Sequence, residues 1–175
     1  MFNQVQRRSA RLALAALLLS TALGQAHVGE HPSVHDTVAG IIDRFRKTIS
    51  LQELIAMDAA KAKSLLTEKE LQILATEHIT FRVNVPVKVI IIRETAMGDK
   101  PFWLKDRGFI PMGFKITLQG TEVDFWMKDF EVGRIGLGVN SLTGGNAHYI
   151  AALMPLKKET KLEVTELYPG QLRVG

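Results

Sequence analysis

The chain of 175 residues has no cysteine. That excludes disulfides, thiolate metal sites and a cysteine nucleophile, so stability has to come from packing alone. Aromatic residues are sparse, 7%, and only two of them are tryptophan. An excess of one charge is missing as well. Arg7, Arg8 and Arg11 are the only charges in the first 26 residues, and 22 basic residues less those three leaves 19 against 18 acidic ones. A near-neutral remainder gives no electrostatic footprint for nucleic acid. The apolar run from Leu12 to Leu19 is too short to span a bilayer, and no other segment is longer and apolar enough.

What is present begins with "MFNQVQRRSARLALAALLLSTALGQA". A basic start, a short apolar run and a close on Gly24 and Ala26 form the pattern of a secretory signal peptide over residues 1–26, cleaved after Ala26. Arg7-Arg8 resembles a twin-arginine signal, but Ala10 and Arg11 stand where apolar residues usually follow. The expected destination is periplasmic or extracellular, with no stable membrane insertion after cleavage.

Residues 27–77 read as a helical lead segment. "SVHDTVAGIIDRFRKTI" sets Val34, Val38, Ile41, Ile42, Phe45 and Ile49 on one face at spacings of three and four. Ser50 with Glu53, and Thr67 with Glu70, form capping-box patterns that mark helix starts. Three short helices are expected, at about 34–48, 51–64 and 68–76. None has the apolar surface to stand alone.

From residue 78 to 175 the period changes to two. "ITFRVNVPVKVIIIRE" alternates and is β-branched, and Pro86 predicts a bulge or a strand that switches sheets. "MGDKPFWLKDRGFIPMG" reads as a loop, with a turn at Gly98-Asp99, and Gly120 as a hairpin between "FKITLQ" and "TEVDFWMKDF". About seven or eight short strands with frequent turns and no intervening helices predict an immunoglobulin/fibronectin III-like β-sandwich, mostly β in an α+β chain.

"VGRIGLGVN" holds Gly133, Gly136 and Gly138, a spacing that can cradle phosphate. A phosphate loop needs a helix behind it, yet "VNSLTGGNAHYI" reads as strand, turn, strand. The glycines are therefore expected where another backbone or a large ring comes close, with Trp126, Phe125 and Phe130 as the nearby rings.

"FWLKDRGF", "VDFWMKDFEVGRIGLGVN" and "HYIAAL", together with "HPSVHDTVAGIIDRFRK" and "LLTEKELQILATEHITFRVNVPV", resemble the region that precedes the catalytic domain in secreted bacterial metallophosphoesterases of the purple acid phosphatase type. The resemblance covers residues 27–175 and implies a fibronectin type III-like domain. It also implies a catalytic metallophosphoesterase domain as partner, in cis or in trans, with a dinuclear metal only in that downstream domain. The D-x-H and G-N-H-[DE] blocks that would hold two metals are absent here, and "GNAH" (Gly145, Asn146, Ala147, His148) departs from the pattern by one residue. No catalytic residue carries over, and no cofactor is expected in this chain. The resemblance thus implies a non-catalytic accessory domain of a phosphate ester hydrolase. A stand-alone exported binding or adhesion module is the alternative.

Two sets of side chains remain as candidate sites. After cleavage His27 becomes the first residue, and a free amine with an imidazole can bind copper, with His31 and His35 nearby; Pro32 argues against one helix carrying all three. Trp103 and Trp126 are candidate partner or ligand contacts, since alternation in "VDFWMKD" puts Asp124, Trp126 and Lys128 on one face and Val123, Phe125 and Met127 on the other. His78 and His148 read as structural. Asp99, Asp106, Asp124 and Asp129 are each a carboxylate at a strand end or surface, and Ser141 lies outside any nucleophile elbow.

Overall fold

The computed structural model of the protein describes residues 33–97, 100–143 and 148–169. The signal-peptide segment, His27 and His31, the Gly98-Asp99 turn and Gly145 to Ala147 lie outside the described residues. The chain is α+β and divides into two compact units. Among the described residues, one holds those up to Leu74 with 141–143, and the other holds Ala75–Asn140 with 148–169.

The helical unit begins with α1, Val34–Thr48, capped by Ser33, whose hydroxyl accepts from the Asp36 amide at 3.1 Å. Then come α2, Leu51–Ala56, and α3, Ala59–Ser64. The single helix expected over 51–64 is in fact two. Met57 leaves helical geometry, and the Asp58 carboxylate caps α3 by accepting from Lys61 N at 2.7 Å. Helix α4 is Glu68–Thr76. Both capping boxes form. Ser50 and Glu53 exchange bonds, and so do Thr67 and Glu70, at 3.2 and 2.8 Å. Glu70 serves a second purpose, taking a fork of two bonds from Arg44 of α1 at 2.5 and 2.9 Å, while Arg44 also donates to Leu65 O. The first turn of α4 is thereby tied to α1 across 26 residues.

The β unit holds β1 (Ile79–Val83), β2 (Val87–Glu94), β3 (Ile110–Leu118), β4 (Thr121–Phe130), β5 (Gly133–Leu137), β6 (Ile150–Pro155) and β7 (Val164–Tyr168). They form two antiparallel sheets, ordered β5-β1-β7 and β3-β4-β2-β6, in a β-sandwich-like arrangement. Pro86 sits between β1 and β2, where the chain crosses from one sheet to the other. The β3–β4 hairpin turns on Gln119 and Gly120, both at positive φ, as a two-residue hairpin with native twist requires.

Phe81, Val83, Ile135 and Leu137 from the smaller sheet meet Val87, Val89, Ile91 and Trp126 from the larger in one buried cluster. The segment read as a loop contributes to this core. A short helix, α5 (Trp103–Asp106), sets Trp103 and Leu104 inside it, and Phe109 follows. Trp103 meets Phe109 and Tyr149 edge to face at 5.3 and 5.7 Å.

The glycine question has a steric answer. A Cβ on Gly136 would lie 1.9 Å from the Thr76 carbonyl oxygen, and one on Gly138 would lie 2.4 Å from the Trp103 ring. Backbone and ring approach as the sequence predicts, but the ring is Trp103, not Trp126. Gly133 has no close neighbour and instead adopts φ 134°.

Gly136→Ala therefore forces backbone apart and should cost about 3 kcal/mol or more. Gly40→Ala, in α1 with open space around its Cβ, should stabilise by about 1 kcal/mol. Urea melts of the two variants check both signs. A third expectation concerns acid. The Arg44 bond holds the Glu70 carboxyl down from 4.5 to about 2, against opposing burial. A depressed carboxyl stabilises the fold above its unfolded value and loses that contribution as pH falls through the folded one. The effect is thus full above about pH 4.5 and gone near pH 2. It is worth on the order of 1–2 kcal/mol, because the Arg44 side chain is exposed enough to be screened. Glu70→Gln should lower stability at pH 7 and flatten the acid limb of a stability–pH curve.

Candidate functional site

The larger sheet has two unlike faces, both set by register. Val87, Val89, Ile91 and Arg93 of β2 are buried and alternate with half-buried Lys88, Ile90, Ile92 and Glu94. Opposite the buried set stand Phe130, Lys128, Trp126 and Asp124 of β4. The alternation expected in "VDFWMKD" is present, but the Asp124–Trp126–Lys128 side is the one turned to the core. The reading of Trp126 as a surface anchor is corrected accordingly. Trp126 is 2% exposed and Trp103 is 0% exposed. Neither ring presents a face to a partner or ligand. Trp103 spends its indole N–H on the Val139 carbonyl at 2.8 Å.

The inward charges need partners, and they find them unevenly. The Lys128 ammonium donates to the Arg107 carbonyl, and burial together with the Arg107 charge lowers its pKa. The Arg107 guanidinium donates to Ala75 O at 2.8 Å and Gly136 O at 2.5 Å, joining the end of α4 to β5. Arg93 is 2% exposed and faces Asp124 at 3.6 Å, Nε to Oδ1. That is an ion pair but longer than a hydrogen bond. Arg93 Nη2 reaches Glu94 O at 3.3 Å. Arg93 Nε and Nη1, Asp124 Oδ1 and Trp126 Nε1 are buried with no hydrogen-bond partner among the described residues.

The opposite face of the same sheet is apolar where a solvated face would be polar. Ile90, Ile92, Phe125 and Met127 fill its middle, with Ala152 of β6 beside Ile90. Its margins are exposed. Ile150 is 65% exposed and Ile110 61%, and Phe114, Ile116, Leu118 and Met154 are also open. The Phe114 and Phe125 rings touch at 5.2 Å between centroids. These six side chains, four on β3 and two on β6, leave apolar surface open to water at both edges of the face. The ion pair on this face, Lys88 with Asp129, is internally neutral.

The remaining sequence candidates stay apart. His35 is exposed on α1 and pairs with its neighbour Asp36, 3.4 Å away. Among the described residues no three His, Asp or Glu side chains group as metal ligands. Asp129 pairs with Lys88 and Asp124 with Arg93, while Asp106 closes α5. Ser141 accepts from the Thr143 amide at 3.1 Å, a turn role. His78 sits at the helix-to-strand junction, its amide donating to Leu137 O at 3.0 Å. Burial lowers its pKa, and His148 lowers it further. No helix of the described residues is long and apolar enough to cross a membrane.

Sequence reasoning missed Arg93, Arg107 and the apolar outer face. The signal for the face was in plain sight. "VKVIIIRE" is apolar at both parities over its centre, which marks a strand covered on two sides. No family model, no curated protein and no solved structure matches the chain.

The Arg93–Asp124 pair makes a stability prediction of its own. Arg93→Met alone leaves a buried carboxylate without its cation and should cost about 3–5 kcal/mol. Adding Asp124→Leu removes the orphaned charge and should recover most of that loss. Chemical denaturation of the two single variants and the double variant tests the non-additivity.

Proposed function

We propose that this chain is an exported, non-catalytic accessory domain that works by docking a catalytic metallophosphoesterase domain, in cis or in trans. The single observation that carries the docking part is the apolar outer face of the β3-β4-β2-β6 sheet. A half-covered core pattern, little charge beyond the Lys88–Asp129 pair and Glu94, and open Ile, Phe, Leu and Met side chains suit a protein surface rather than a charged ligand. The identity of the partner rests on the sequence resemblance alone.

The strand pairing supports the immunoglobulin-like part of the reading. In such sandwiches the second and fifth named strands, B and E, pair, and C lies between F and C′. Here β1 pairs with β5, and β2 lies between β6 and β4. Two departures are clear: β7, the last strand, takes the place beside β1 that strand A would occupy, and β4 rather than β3, the next strand in sequence, lies beside β2. The signal-peptide pattern supports a periplasmic or extracellular location. Of the three histidines of the copper alternative, His27 and His31 lie outside the described residues, and His35 lies on α1 beside Asp36.

The test begins with the reading frame beyond the Gly175 codon and the neighbouring genes. The full chain is then co-expressed with the metallophosphoesterase domain found there. Co-purification is expected, and Ile150→Asp or Phe114→Asp should weaken it at least tenfold, since each buried apolar side chain is worth about 1.5–3 kcal/mol. Both positions are exposed, so the variants should fold as the parent does. Binding that survives both substitutions, or no association at all, sinks the proposal.

A further inference from the structure

We infer that the core side of the larger sheet holds an internal water site, built by Arg93, Asp124 and Trp126. The three residues share one face of neighbouring strands. Arg93 stands opposite Asp124, and Trp126 is the next inward residue along β4, opposite Ile91. Each brings a buried polar atom with no partner among the described residues: Arg93 Nε and Nη1, Asp124 Oδ1 and Trp126 Nε1. An unpaired buried group costs the full desolvation of that group, and native interiors rarely leave one, let alone four on one face of two neighbouring strands.

The set is mixed, and its composition selects the ligand. Nε, Nη1 and Nε1 can only donate, while an ionised Asp124 can only accept. An anion would satisfy the donors but would be repelled by the Asp124 carboxylate. A cation would satisfy Asp124 but would be repelled by Arg93, which is 2% exposed and always charged. A molecule that accepts from the guanidinium and the indole and donates to the carboxylate satisfies both sides, and water is the smallest such molecule. The direct Arg93–Asp124 separation of 3.6 Å fits a pair whose hydrogen bonds go largely to a third group. Lys100, over the Trp126 ring at 5.2 Å to the centroid, adds a cation beside the site and places no further acceptor there.

The chain carries its own control, because it has two tryptophans in opposite states. The Trp103 indole N–H is committed to the Val139 carbonyl, whereas that of Trp126 is buried with no partner among the described residues. The experiment is water-selective NMR on the full chain, ¹⁵N-labelled at tryptophan, with the two indole signals assigned by the conservative variant Trp126→Phe. A long-lived water cross-peak at the Trp126 indole, absent at Trp103, is expected. A crystal structure at high resolution should place ordered solvent within hydrogen-bond distance of Arg93 and Asp124. No water contact at Trp126, or a direct two-pronged Arg93–Asp124 bond with the indole held by protein, overturns the inference. So does density for an anion in that position.

Discussion

The β unit is organised around the close approach of the Trp103 ring to Gly138. A side chain at residue 138 would sit 2.4 Å from the ring and 2.7 Å from the Ala75 Cα. Only glycine lets the indole, the end of α4 and the chain after β5 share that space. The ring then makes one polar bond, to Val139, and two edge contacts, to Phe109 and Tyr149. Tyr149 closes the circuit through its hydroxyl, which donates to Gly138 O at 2.8 Å. Arg107 ties the same α4 end to Gly136 and lies over the Trp103 ring at 5.8 Å. The short helix α5 needs no stability of its own, because its two inward residues are locked by this junction.

The second constraint is the charge that the larger sheet turns inward. Arg93, Asp124 and Lys128 occupy positions that aliphatic residues would fill in a dry sandwich. Each buried charge commits neighbouring groups to satisfy it. Lys128 engages the Arg107 carbonyl, and Arg93 engages Asp124. The apolar residues that would ordinarily turn inward are on the far side of the same strands. The polarity of this sheet is therefore partly inverted, and its exposed apolar face and its buried polar cluster are two consequences of one register. A one-residue slip of β4 against β2 would bury Phe125 and Met127 instead. The Lys88–Asp129 pair lies directly across β2 and β4 in the register that is found, and the turn at Gln119-Gly120 fixes β3 on β4.

Much of this was legible in sequence wherever the determinant was local. The capping boxes at Ser50 and Thr67, the hairpin at Gly120 and the sheet switch at Pro86 each depend on a few adjacent residues, and each formed where the residues pointed. The helix break at Met57-Asp58 was local too, but an Asp cap inside a run of good helix formers gives a weak signal. Alternation gave the parity of "VDFWMKD" without its sign. Which side faces the core depends on Arg93 and Lys128 finding partners 31 and 21 residues away, Asp124 and Arg107. The core role of Trp103 was hidden for the same reason. Its environment is assembled from Ala75 of α4, Gly138 just after β5 and Tyr149, none of them near it in sequence.

The edges of the larger sheet bear on how its outer face can be used. Strand β3 is a long, exposed edge, and such edges invite pairing with another chain. This one is blunted. Pro111 has no N–H to offer, the register shifts between Pro111 and Lys115, and Gly113 bends the strand at φ 76°. At the other edge, β6 is six residues long and ends on Pro155. Strand addition would therefore meet a broken ladder on one side and a short one on the other. The side chains of the face meet no such obstacle, since Ile110, Phe114, Ile116 and Leu118 project from the very strand whose backbone is unsuited to pairing. A partner that covers this sheet does so by packing on its face, and its selectivity then comes from the shape of the apolar surface rather than from main-chain hydrogen bonds.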